Sequence, residues 1–435
     1  MLDIKYIRKN QAEVTAALRK RVPGIDLDPL LALDTQMRAV MTAQEQRQSQ
    51  RNKISAEVGV LKRSGTDTSA LEAQVKTIND QGAADELRLK ELEQRLNEEL
   101  SALPNIPDPR APLGGKEANQ VVRTWGQKPS LPNKPKDHVQ ICTDLGLVDY
   151  ERGVKLGGAG FWLYTGMGAA LEWALLNYFC QAHYRDGYTF MLPPHLLVHE
   201  SGYAAGQFPK FADDVFHLQT RDGQRDRFLL PTSETAIVNV YRDEILDEAQ
   251  LPVKVFAYSP CYRSEAGGGR AEERGTVRGH QFNKVEMFQF TTPDQAEAAH
   301  NELVRRAEML LEGLGLHYQT TLLAVQDASA SMRLTYDIEV WIPSMGIYKE
   351  VSSVSWAGDY QARRAKIRYR PMGGKSTEFV HTLNASGLAT SRLLPAIVEQ
   401  CQQPDGSVRI PEPLRAWVGT DVIPAQSLHL KNGTN

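Results

Sequence analysis

Between Leu30 and Leu103 the chain has no proline and only three glycines, and its apolar residues recur at alternating steps of three and four. Such a period leaves few folds open: it lays an apolar stripe along a long helix, and another helix must cover that stripe. In the first half the stripe runs Leu30, Leu33, Met37, Val40, then polar Gln44, Arg47 and Arg51, then Ile54, Val58 and Leu61. In the second it runs Leu71, Val75, Ile78, Gly82, Asp85, Leu89, Leu92, Leu96, Glu99 and Leu103. The intervening KRSGTDTSALE offers Gly65 as a helix stop and Asp67 or Ser69 as the next N-cap. Folding there, with Leu61 facing Leu71, sets Arg47 opposite Asp85 and Arg51 near Gly82. The expected element is an antiparallel hairpin with arms roughly 50 Å long, its register fixed by one internal ion pair. An intermolecular coiled coil satisfies the same periodicity equally well.

Four prolines in LPNIPDPRAPLGG, between positions 104 and 112, block any continuation of the helix. The expected organisation is therefore a helical arm (1–103), a proline-rich linker (104–124) and a larger body (125–435). In the body, short β-branched runs (227–232, 253–260, 285–292, 336–343 and 367–371) alternate with helical patterns at 169–184, 233–247, 294–314 and 388–402. Strands are too frequent for βαβ units, so the fold class expected is α+β, an antiparallel sheet flanked by helices. Neither a Walker A pattern nor G-x-G-x-x-G occurs, which argues against a P-loop or Rossmann nucleotide site.

The 50 basic and 53 acidic side chains nearly cancel, so any surface for a polyanion must be local. Cys142, Cys180, Cys261 and Cys401 have neither CxxC nor Cys/His spacing. That argues against zinc and a disulfide framework, and fits a reducing cytoplasm. Charges at Asp3, Lys5, Arg8 and Lys9 leave no apolar signal-peptide core. The most apolar window, GMGAALEWALLNYFC, contains Glu172 and is too short to span a bilayer. A cytoplasmic protein without a membrane partner is expected.

The chemistry concentrates in CYRSEAGGGRAEERGTVRGHQFNKVEMFQF (261–290). Arg263, Arg270, Arg274 and Arg278 surround a glycine triplet and would repel one another unless an anion joined them. The flanking runs alternate apolar and polar, so the segment reads as a long loop between two antiparallel strands. Arg263 and Glu265, two apart, are expected on one face, with Phe282 and Glu286 sharing it. Guanidinium for phosphate, an aromatic plane for a base and carboxylates for an amine make a nucleotide platform. A solvated charged hairpin is the simpler alternative.

The R-S-E of 263–265 followed by Arg278-x-x-x-Phe282 resembles motif 2 of the class II aminoacyl-tRNA synthetases. PCYRSEAG with HQFNKVEM is similar, more narrowly, to the bacterial-type seryl-tRNA synthetase family. The likeness extends along the chain: MLDIKYIRKN resembles that family's N-terminus, the helical hairpin its tRNA-binding arm, and LPNIPD its linker. GYTFMLPPHLL (187–197) resembles motif 1, whose strand and proline lie at the dimer interface, and HTLNASGLATSR (381–392) resembles motif 3. The resemblance implies ATP-dependent activation of L-serine and its transfer to tRNA(Ser), with tRNA(Sec) as a further acceptor, by a homodimer.

It also implies roles for matching residues. Thr232, Ser233 and Glu234 would grip serine, with Glu286, Thr382, Asn384 and Ser386 holding its ammonium or hydroxyl; polar groups left unpaired would reject alanine. Arg263 would hold the α-phosphate and Arg278 the γ-phosphate of ATP, while Phe282 and Arg392 would bracket adenine and Ser264 and Glu265 complete the contacts. Glu350, helped by Ser353, would bind Mg²⁺, an ion that favours oxygen ligands and substrate phosphates. Val351 and Ser352 would touch ATP through their backbone. Arg263, Glu350 and Arg392 are thus the expected catalytic residues. Lys53, Lys62, Arg63 and Lys76, with Arg88, Lys90 and Arg95, would meet tRNA phosphates on the arm.

The chain departs from the family pattern in several places. Its motif 2 loop reads AGGGRAEERG, where Glu272 and Glu273 add negative charge. QDASASMRL puts Leu334 where a lysine is usual, SSVSW places Val354 and Trp356 in the expected active-site neighbourhood, and motif 3 reads LNASGLATSR. These changes admit two other readings: a divergent second synthetase serving antibiotic resistance or a biosynthetic pathway, and a catalytically silent RNA-binding paralogue.

Overall fold

The computed structural model describes residues 1–219, 227–265 and 273–425; the triplet 267–269, Arg270 and Glu272 lie outside the described residues. The chain divides into two compact units, Met1–Pro104 and Asn105–Asn435.

In the first unit two long helices, α1 (Asp28–Arg63) and α2 (Ser69–Ala102), pair as an intramolecular hairpin. The turn between them is closed at Gly65, whose φ of 75° suits a residue without Cβ. Thr68, rather than Asp67 or Ser69, takes the N-cap position, and the Asp67 carboxylate instead accepts the Ser69 backbone N–H at 3.0 Å. Arg47 and Asp85 form the expected ion pair across the seam. The expected stripe holds through Leu92 and Leu96, after which Leu100 is buried and Glu99 is exposed. A straight helix repeats at 3.6 residues, so a pattern stepped at 3.5 drifts off the covered face. Leu30 and Leu33 are buried beside Asp34, whose carboxylate receives Arg8 and Arg38.

The second unit is built on β1 (Gln120–Trp125), α3 (Gly166–Arg185), β2 (Thr189–Met191), α4 (Glu234–Ile237), β3 (Val253–Tyr262) and β4 (Gln281–Thr291). It continues with α5 (Ala296–Leu314), β5 (Tyr318–Leu322), β6 (Leu334–Ile342), β7 (Ile347–Gly358), α6 (Tyr360–Ala365), β8 (His381–Ala389) and α7 (Thr390–Gln400). Among the described residues eight strands make one sheet in the order β1-β5-β6-β7-β8-β4-β3-β2. Every neighbouring pair is antiparallel except β2 with β3, so the sheet is mixed at one edge. Part of the expected linker is bonded into this unit. The Asn105 side-chain amide donates to the carbonyls of Ser331 and Ala357, at 2.9 and 2.7 Å, and β1 begins at Gln120.

Side chains on a strand alternate between faces, and this sheet uses both. One face supplies Val285, Met287, Ala385, Leu383, Val354 and Trp356 to the core shared with Leu171 and Leu175 of α3, Leu303 and Leu311 of α5 and Ile397 of α7. The other face carries Phe288, Phe290, Val255 and Ala257 in a second core, and the polar residues described below. The expected helix at 233–247 shrinks to the single turn of α4, then a turn and a short strand, Ile245–Asp247.

Gly168, near the start of α3, lies against the backbone of Leu147, and an added Cβ would overlap the Leu147 carbonyl oxygen. Gly168→Ala should therefore destabilise the fold by about 2–3 kcal/mol and lower the melting temperature by roughly 5–10 °C, as read by calorimetry.

Candidate active site

Phe282, Lys284 and Glu286 stand at every second position of β4 and share the sheet face opposite the helix-packed core. On the neighbouring β8, Thr382, Asn384 and Ser386 point the same way, with Ser386 paired to Glu286, Asn384 to Phe288 and Thr382 to Phe290. The turn before α4 brings Thr232, Ser233 and Glu234 over this face, pinned by a 2.6 Å hydrogen bond between the hydroxyls of Ser233 and Ser259.

The result is a buried polar pocket. Asn384 bridges its two carboxylates, donating to Glu286 Oε1 at 3.1 Å and to Glu234 Oε2 at 3.3 Å. Gln361 of α6 donates to Glu234 Oε1 at 2.6 Å and accepts the Thr382 hydroxyl at 2.6 Å. Lys284 forms an ion pair with Glu286 and donates to Thr232 Oγ1 at 2.7 Å. Burial, then the neighbouring Glu286 charge, push the Glu234 carboxyl up to about 7.

Beside this pocket opens a basic cleft lined by Arg263, Arg278, Phe282, Lys284, Glu350, Ser386 and Arg392. The Arg263 guanidinium lies 5.2 Å over the Phe282 ring, and Arg392 donates to the Glu350 carbonyl at 2.7 Å and its carboxylate at 3.2 Å. Arg278 is held by Glu265 at 2.5 Å and Glu273 at 3.2 Å, and Glu273 also takes Lys349 at 2.7 Å. Burial opposes ionisation of Glu273, yet Lys349 and Arg278 hold it below the usual carboxylate range. Asp337 faces this region from β6, paired with Ser353 of β7. Burial, then Glu350, raise its carboxyl well above the ordinary value, and its Oδ1 is buried without a hydrogen-bond partner. Among the described residues no group of three or more His, Cys, Asp or Glu side chains is placed to hold a metal ion.

This geometry puts carboxylates suited to an amine next to arginines suited to an anion, in two adjoining spaces over one sheet. Two family models match the chain: the seryl-tRNA synthetase N-terminal domain over residues 1–107, and the class II tRNA synthetase core domain (G, H, P, S and T) over 216–401. Serine--tRNA ligase 2 of Clostridium acetobutylicum is 53% identical over 426 residues, 97% of this chain and 100% of that protein. The chain belongs to the seryl-tRNA synthetase family. Among solved structures of seryl-tRNA synthetases, that from Pyrococcus horikoshii complexed with ATP aligns at a TM-score of 0.90 and 32% identity, covering 98% of this chain and 99% of that one. The cytoplasmic serine-tRNA ligase of Naegleria fowleri in complex with AMP aligns at 0.85 and 26%, with the same coverages. Among the described residues no helix of this synthetase is long and apolar enough to cross a membrane.

Measured against the family roles, most expected residues meet in these two neighbouring spaces, and a few do not. Thr232, Glu234, Glu286, Asn384 and Ser386 surround the pocket, whereas Thr382 touches it only through Gln361. Ser264 turns away, its hydroxyl donating to the Asp213 carbonyl at 2.5 Å. The strand stops at Tyr262 and Glu265 sits at φ 50°, so Arg263 and Glu265 do not share a sheet face as alternation predicted. Val351 and Ser352 are buried, with the Ser352 hydroxyl donating to the Ser386 carbonyl. Val354 and Trp356 pair with Ala385 and Leu383, which places them in the opposite core; Ser355, paired with Asn384, faces the pocket side. Leu334 packs with Ala111, Leu322 and Val325. On the arm, Lys53, Lys62, Arg63 and Lys76 are all exposed, and Lys62 reaches Glu72 at 2.6 Å. Sequence reasoning passed over Lys284, Gln361 and Lys349. The alternation of Phe282, Lys284 and Glu286 was signal enough for Lys284, but nothing local marks Gln361.

Because folding raises the Glu234 carboxyl from 4.5 towards about 7, the folded chain binds a proton more readily within that window, and stability falls as pH rises through it. Glu234→Gln should remove this dependence. Thermal denaturation is expected to show a higher melting temperature than the parent at pH 8 and little difference at pH 4.

Proposed function

We propose that this chain carries out serine–tRNA ligation with the residues of the pocket and cleft in the roles that follow. The observation that carries the reading is the junction itself: the two carboxylates bridged by Asn384 lie beside the cleft in which the Arg263 guanidinium stands over the Phe282 ring. Glu234 and Glu286 bind the ammonium and hydroxyl of serine, with Thr232, Asn384 and Ser386 as fixed polar partners; Ser233 anchors the turn and Thr382 acts through Gln361. The serine carboxylate, already ionised, attacks the α-phosphorus of ATP, so no general base is needed, and pyrophosphate leaves. Arg263 stabilises the charge that develops on the α-phosphate. Phe282 and Arg392 hold adenine, Arg278 takes the γ-phosphate, and Glu265 and the 351–353 segment border the nucleotide. A terminal tRNA hydroxyl then attacks the activated carbonyl and AMP departs.

A divalent cation fits beside this cleft, because it would satisfy the orphaned, charge-crowded Asp337 as well as Glu350. Mg²⁺ suits such an oxygen donor set, with Glu350 and Ser353 holding it, and would neutralise phosphate charge when bound. The exposed Lys53, Lys62, Arg63 and Lys76 provide phosphate contacts for tRNA(Ser) on the arm unit. A homodimer is supported by the open edge at β2, where Phe190 and Leu192 are exposed with Trp173 and Tyr184 of the adjoining α3.

A second reading is favoured by one observation: Glu273 neutralises Arg278 and Lys349 at the mouth of the cleft. In that reading the adenylate serves an acceptor other than tRNA, as in a specialised second synthetase. Labelled serine transfer to a tRNA(Ser) transcript, with pyrophosphate exchange in parallel, separates the two. Both activities are expected, and exchange without transfer would favour the second. Arg263→Ala should reduce exchange by about 10²-fold or more while leaving tRNA binding intact. Leu192→Glu should convert the dimer to monomer in light scattering.

A further inference from the structure

Lys284 is the buried cation of the pocket, with a side chain only 7% exposed. A lysine taken out of water keeps its charge only where partners replace the solvent. Here they do: Glu286 Oε2 accepts the ammonium, and so does Thr232 Oγ1. The same Thr232 oxygen accepts the Glu234 N–H at 3.3 Å and its hydroxyl points to Glu286 Oε2 at 3.5 Å. Glu286 Oε1 is committed to Asn384. With both oxygens engaged, the Glu286 carboxylate cannot rotate, and the Thr232 hydroxyl cannot turn away. Lys284 is thus committed to Glu286, while Glu234 has no ion pair among the described residues and is reached only by neutral amide donors, Gln361 and Asn384.

We propose that Lys284 is a positioning residue for substrate selection: it fixes Glu286 and Thr232 in the orientation that receives a small amino acid. The inference rests on the serine-activating reading and extends it to a residue given no role there. Lys284 acts through Glu286 and Thr232, so its loss falls on the amino-acid side of the reaction, although it also borders the nucleotide cleft.

The test is pyrophosphate exchange by the full-length protein, with the KM for serine and the KM for ATP measured separately in the parent, K284M, K284Q and K284R. K284M should raise the serine KM roughly 10- to 100-fold, the loss expected when a buried charged partner goes missing. The ATP KM should stay within about threefold, because ATP meets other residues. K284Q, able to donate to Thr232 without charge, should fall between parent and K284M, and K284R should recover part of the serine affinity. A serine KM unchanged within about threefold in K284M would overturn the proposal. So would equal losses for serine and ATP with a collapsed melting temperature, since that marks a merely structural lysine. If K284M does not fold, K284Q decides on the same scale. Absence of serine-dependent exchange in the parent would instead overturn the activity reading, and this inference with it.

Discussion

The side chains of β4 point alternately to opposite faces, and that geometry joins the core of the second unit to its chemistry. Val285 and Met287 lock the strand against the helices, while Phe282, Lys284 and Glu286 are held rigidly on the far side. A register slip of one residue would exchange the two sets, burying charge in the core and exposing its apolar residues. The ten-residue pairing with β3 and the pairing with β8 make such a slip expensive. Precision at the site is thus inherited from packing that takes no part in the reaction.

The site's electrostatics follow one pattern, with one exception. Three of its cations already have a carboxylate: Arg278 has Glu265 and Glu273, Arg392 has Glu350, and Lys284 has Glu286, whereas Arg263 leans on the Pro231 carbonyl and the Phe282 ring. Paired charges remain ionised where isolated ones would be forced neutral. Binding a phosphate at a paired cation is therefore an exchange of partners, and its net strength depends on the difference between the two pairings. Glu273 matters in this light, because it adds a competitor where the family pattern has none.

Much of this was legible in the sequence. The long hairpin follows from periodicity, and the ion pair between Arg47 and Asp85 from counting back from the turn. The order of Arg263, Arg278, Phe282 and Glu286 marked residues that meet at the pocket and the cleft beside it. What escaped has physical causes. Glu265 leaves the sheet because the strand ends at Tyr262, and no residue there announces the end. Val354 and Trp356 lie near the site in sequence yet belong to the opposite core, a parity that only the pairing partner determines. Gln361 reaches Glu234 from 127 positions away, through a contact that tertiary structure alone creates.

The ion pair between Arg47 and Asp85 has a consequence for how the arm can change length. The partners are 38 positions apart and straddle the turn, so each helix contributes its own count of residues to their alignment. Adding one residue to a single helix slides one partner by about 1.5 Å and turns it about 100° away, which breaks the pair. Adding whole heptads to both helices on the turn side preserves height and facing alike. The hairpin is consequently a ruler graduated in paired heptads, able to grow or shrink by matched steps and intolerant of any single-sided insertion.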